Sequence, residues 1–108
     1  MLLTGVAATM ATRAEAQSAV SIRVENTDVG DLFVSLFDLN TANNAAVFTD
    51  QRINRNQVVT VAVSPDGDGR GRIGWRARRT EGDPPKTAQR GPISVSNNDK
   101  VDVTTYFD

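Results

Sequence analysis

A chain of 108 residues with 39% hydrophobic content and a formal charge of -1 has apolar material for one modest domain and no global charge to draw in a polyanion. It contains no cysteine and no histidine, which excludes a disulfide framework, thiolate chemistry, a histidine-based triad and the commonest transition-metal ligand. Carboxylate chemistry, binding and assembly are the classes left.

The first residues, from Met1 to Ala11, are small or apolar, and Ala14-Glu15-Ala16 then offers the small side chains that a signal peptidase accepts. The pattern predicts a signal peptide over 1–16, cleaved after Ala16, and a folded domain over 17–108 that is secreted or periplasmic. No basic residue precedes the apolar run, a departure from the usual leader. The run is too short to span a bilayer, so no transmembrane segment is expected.

From Val20 onward the apolar period is two. Val20, Ile22 and Val24 alternate with Ser21, Arg23 and Glu25, predicting a strand, and Asn26 to Gly30 carries turn chemistry. The next segment, Leu32 to Leu39, is apolar on both faces of an extended chain: Leu32, Val34 and Leu36 on one, Phe33 and Phe37 on the other. Such a strand is expected at the centre of a sheet, its outer face covered by a loop, a tail or another subunit. A hairpin pairing Val24 with Leu32, Ile22 with Val34 and Val20 with Leu36 puts all six side chains on one face. After the polar loop Asn40–Ala45, an edge strand is expected near Ala46–Thr49, and the β-branched run Gln57–Ser64 is the strongest local strand signal.

Pro65 to Gly71 holds three glycines and must reverse the chain. In the strand that follows, Ile73, Trp75 and Ala77 share one face, while Arg70, Arg72, Arg76 and Arg78 share the other. A hairpin opposing Val63 to Ile73, Val61 to Trp75 and Val59 to Ala77 keeps the apolar face consistent. Glu81 to Pro92 contains three of the four prolines and little apolar content, predicting a long exposed loop. Ile93 and Val95 then oppose Val103 and Val101 in a last hairpin, whose turn Asn97-Asn98-Asp99 needs a left-handed residue of the kind asparagine tolerates. The whole reads as an all-β fold of about seven strands, a single antiparallel β-sandwich, immunoglobulin-like or related.

The arginine stripe is the leading site. Guanidiniums of Arg70, Arg72, Arg76 and Arg78 on one strand face suit bidentate contact with phosphate, sulfate or carboxylate on an anionic polymer or a protein partner; the plainer reading pairs them with acids such as Glu25 or Asp102. Trp75 is assigned to the core. Asp66-Gly67-Asp68-Gly69 has the look of a calcium loop but lacks the late glutamate of one, so turn formation explains it better, and no metal or cofactor is expected. The acids Asp38, Asp50, Asp66, Asp68 and Asp102 are scattered. The expected function is therefore non-enzymatic binding by an exported domain. The alternatives are a self-assembling surface or matrix component that homo-oligomerises through the Leu32–Leu39 strand, a loop presented to a protease in the manner of an inhibitor, and a small carboxylate hydrolase.

Overall fold

The computed structural model describes residues 19–106; the expected leader lies outside them. Seven strands follow in order: β1 (Val20–Asn26), β2 (Leu32–Asp38), β3 (Ala46–Ile53), β4 (Val58–Val63), β5 (Gly71–Gly82), β6 (Pro85–Val95) and β7 (Lys100–Val103). They form two sheets, β4-β1-β7 and β3-β2-β5-β6, which share one core. Val20, Ile22 and Val24 from the first sheet are buried together with Leu32, Val34, Leu36, Ile73, Trp75 and Ala77 from the second. The inward parity read from the sequence therefore holds on every one of these strands.

The pairing differs. β1 and β2 lie in different sheets, as do β4 and β5, and β6 and β7, so none of the three expected hairpins forms. β1 instead pairs antiparallel with β4, Val24 opposite Val59 and Ile22 opposite Val61, and parallel with β7, Val24 opposite Val101. The fold is thus not purely antiparallel. The physical reason is that residues facing across a two-sheet core share the inward parity of residues paired in a hairpin, so side-chain alternation satisfies both arrangements.

Buried polar side chains tie the sheets at their ends, where backbone groups lose their ladder partners. Asn26 donates from Nδ2 to the carbonyls of Gly30 and Ile53 and accepts from the Asp28 N–H, stitching the end of β1 to that of β3. At the other end Asp38 accepts from the N–H groups of Asn40 and Ser64, fixing the β2 terminus to the β4 terminus at 2.7 Å. Asn98 takes the expected left-handed conformation, φ 72, and its N–H donates to the Ser21 carbonyl, so the last turn prolongs the β1–β7 contact.

β2 is central, as its two apolar faces demand, with β3 and β5 on either side. Ser35 accepts from the N–H of Asp50, where β3 bulges with φ 46. The expected loop over Glu81–Pro92 is instead the end of β5 and most of β6. Proline is tolerated there because β6 is an edge strand whose outer side needs no N–H donor, and its low apolar content reflects a strand mostly open to solvent. The loop-presenting inhibitor reading loses its loop.

Candidate anion-binding face

The outward face of the four-stranded sheet carries the stripe. Successive outward positions on β5 are Arg72, Gly74, Arg76 and Arg78, because the β2–β5 register runs without interruption from Leu32–Arg79 to Asp38–Ile73. Phe33 stands opposite Arg78, Ser35 opposite Arg76, and Phe37 opposite Gly74. The two phenylalanines that make β2 apolar on its outer side are half-buried and lie under arginines: Arg78 is 4.7 Å from the Phe33 ring centroid and Arg76 is 5.2 Å from that of Phe37. The stripe and the second apolar face are one structure.

Among the described residues, no carboxylate stands within ion-pair distance of Arg72, Arg76 or Arg78. The acids proposed as partners are engaged elsewhere, Glu25 and Asp102 both with Lys100. A guanidinium held over an aromatic ring keeps its N–H donors, since the ring takes up its face and not its edge, and those donors are what grips an oxyanion bidentately. Arg70 is placed differently. It precedes β5 in the turn, where its Nε donates to Ser94 Oγ at 2.7 Å and its backbone N–H to Asp66. The stripe is thus a stacked pair, Arg76 and Arg78, and a second group, Arg70 and Arg72, separated by the bare position Gly74.

That gap has a shape. Opposite Gly74, β6 carries an extra residue, so the register shifts between Ile73–Ile93 and Trp75–Arg90. Gly91 occupies the bulge at φ 145, and a Cβ there would stand 2.8 Å from the Gly74 Cα. Close backbone packing leaves a shallow groove of about 520 Å³, bordered by Phe37, Leu39, Gly74, Arg76, Gln89 and Arg90. Sequence reading found the arginines of β5 but missed the role of Phe33 and Phe37 as their platforms and the placing of Arg90 beside them. The interleaving of Phe33/Phe37 with Arg76/Arg78 was legible only once the β2–β5 pairing was known.

The carboxylates serve the fold. Asp66 accepts from the N–H groups of Arg70 and Asp68, and these bonds hold its carboxyl below the usual range in the role of a turn former. Among the described residues no three metal-ligating side chains cluster. Trp75 is buried, 2% exposed, as the core assignment requires. At the far end, burial opposes ionisation of Asp28, but hydrogen bonds from Thr105, the Val29 N–H and Arg79 outweigh it and keep the carboxyl low. Arg79 and Lys86 both lie over the ring of Tyr106, Lys86 at 3.8 Å, so the same cluster clamps the C-terminal segment. No protein-family model, curated protein or solved structure matches this chain.

Proposed function

We propose that this is an exported, immunoglobulin-like β-sandwich that acts by binding rather than catalysis, taking an anionic ligand on the outward face of the β3-β2-β5-β6 sheet. Arg76 and Arg78 are its central contacts, with Arg72 and Arg70 extending the site past Gly74. The observation that carries the reading is the stacking of two solvent-facing arginines on Phe33 and Phe37 with no carboxylate of the described residues in ion-pair range. Arginines recruited for stability are normally neutralised by a neighbouring acid; here the rings order the guanidiniums and leave their charge unspent.

The ligand class is a flexible polyanion, sulfated or phosphorylated, because the cationic groups are spaced along one strand at about 7 Å for adjacent outward positions rather than converging on one point. Binding without catalysis is favoured by the condition of the buried acids, since Asp28 and Asp38 spend their oxygens on hydrogen bonds that hold the termini of strands. Retention on heparin resin tests the reading. The parent should elute at raised salt and Arg76→Gln/Arg78→Gln early, with the unfolding midpoint nearly unchanged; a parent that flows through at low salt overturns it. Export has its own readout, an intact mass beginning at Gln17.

A further inference from the structure

We propose that the protein dimerises through the edge of β4 that is left open among the described residues, pairing Val58, Thr60 and Ala62 antiparallel with the same residues of a second copy about a two-fold axis at Thr60.

Each sheet has two edges, and three of the four edge strands carry devices that discourage pairing. β3 is bulged at Asp50 and bears Arg52; β6 contains Pro85 and Pro92 and a register shift; β7 is four residues long and bears Lys100 and Asp102. β4 has none of these. It is regular along its whole pairing with β1, and from Gln57 to Ser64 the chain contains no charge, only valines, alanine, threonine and serine after the glutamine.

The hydrogen bonds define which part of this edge is available. Asn26 N–H donates to the Gln57 carbonyl, so bonded pairs alternate up the ladder through Val24–Val59, Ile22–Val61 and Val20–Val63. The N–H and C=O groups of Val58, Thr60 and Ala62 therefore point away from β1. The stretch is closed at both ends: Asn56 N–H is given to the Asn26 carbonyl, while Ser64 gives its N–H to Asp38 and its carbonyl to Asn40.

A self-pairing strand must keep inward side chains inward, which limits the register to pairs of equal parity. Placing Val61 on the axis requires Ser64 to bond Val58, and placing Val59 there requires Asn56 to bond Ala62; both end residues are already committed. Placing Thr60 on the axis joins Thr60 to Thr60 and Val58 to Ala62, each bonded pair exchanging both its N–H···O bonds. Every open group on the edge is then satisfied, and none is asked to bond twice.

A second copy also fits the side chains. Val59 and Val61 of β4 are only half-buried against the core, as are Val47 and Phe48 of β3, a strand that touches β4. The two-fold brings the half-buried valines of both β4 strands side by side beneath a continuous β7-β1-β4-β4-β1-β7 sheet. On the outer face, Val58, which is 46% exposed, meets Ala62 of the second copy. Arg23, opposite Thr60 on β1, is three strand spacings from its equivalent, about 14 Å, beyond the screening length at physiological salt. A heterologous strand would need to match this short uncharged window by chance, whereas the chain matches itself by symmetry. The proposal does not depend on the arginine face, which lies on the other sheet.

The chain has no cysteine, so single cysteines report the register. Directly opposed bonded residues have Cα atoms about 5.5 Å apart, within disulfide reach. Under mild oxidation Thr60→Cys should crosslink to itself, Val58→Cys alone should not, and Val58→Cys mixed with Ala62→Cys should. In sedimentation equilibrium the parent should be a dimer and Thr60→Lys a monomer whose near-ultraviolet dichroism, dominated by Trp75, is unchanged. If Thr60→Lys fails to fold, the cysteine pattern decides alone. A parent that stays monomeric at the highest attainable concentration, a dimer that Thr60→Lys leaves intact, or crosslinking of Thr60→Cys no faster than that of the turn variant Asp68→Cys overturns the proposal.

Discussion

The guanidinium carbon of Arg78 lies 4.7 Å from the centroid of the Phe33 ring, and the two residues stand directly opposite each other on paired central strands. Directly opposed side chains are the closest neighbours a sheet offers, so the arginine stem covers an aromatic face that would otherwise meet water while its charged edge stays wet. The contact orders the charged group for recognition at little consequence for the fold, and substitution can test this.

Replacing Phe33 and Phe37 by leucine keeps every charge of the site but removes both ring faces. Heparin retention should weaken although net charge is unchanged, because the freed guanidiniums regain rotamer entropy that binding must then remove. Arg76→Lys/Arg78→Lys should weaken it as well, an ammonium being a poor substitute at a stacked, bidentate site. Equal retention for all three proteins in a salt gradient would reduce the site to unspecific charge.

Trp75→Ala should cost about 3 to 5 kcal/mol in urea unfolding, the usual range for deleting a large aromatic from a packed core. The ring is 2% exposed and belongs to the cluster built from both sheets, so little relaxation can fill the space it leaves. An unchanged midpoint would contradict the burial.

Asp28 sets an acid limit. Its carboxyl is fully enclosed and held below the ordinary value of 3.8, so the folded state binds its proton less readily than the unfolded one. Its contribution is therefore complete above that value and is lost as pH falls through the lowered one; Asp31 and Asp66, also lowered, act in the same direction. Asp28→Asn should lose about 1 to 3 kcal/mol near neutral pH, and the gap between parent and variant should narrow as the solution is acidified below about pH 4. Unfolding midpoints across pH 2 to 7 measure it; a constant gap would show that ionised Asp28 contributes nothing.

Gly91→Ala should be among the more damaging single-methyl additions in the molecule. The residue sits at φ 145, and the added carbon would stand 2.8 Å from the backbone of Gly74, which cannot swing aside as a side-chain end can. A loss of about 1 to 3 kcal/mol is expected from thermal unfolding, with the groove beside Arg76 distorted. Gly67→Ala, where no atom lies within 4 Å, is the control.

The sequence carried the inward and outward parity of its strands, the central position of the Leu32–Leu39 stretch, the burial of Trp75 and a left-handed asparagine in the turn at 97–99, because each is decided within a few residues. It could not carry the pairing. Val24 is as well placed to face Leu32 across a core as to neighbour it in a hairpin, and the contacts that belong to the observed arrangement alone, the ladders of β1 with β4 and β7 and the ties of Asn26 and Asp38, join residues far apart in the chain. The prolines of 81–92 misled for a related reason: Pro85 and Pro92 argue against a central strand but permit an edge. The candidate site was half legible for the same cause, since the arginines announce themselves by spacing whereas their aromatic platforms belong to another strand.

The parallel contact between β1 and β7 joins the first described strand to the last. Until β7 has been made, β1 can pair only with β4, and the side of β1 that takes Val101 and Val103 stays without its ladder partner. Among the described strands, the β4-β1-β7 sheet is therefore the one that waits for the last strand in the chain, and a cut placed before Lys100 removes the element that completes it.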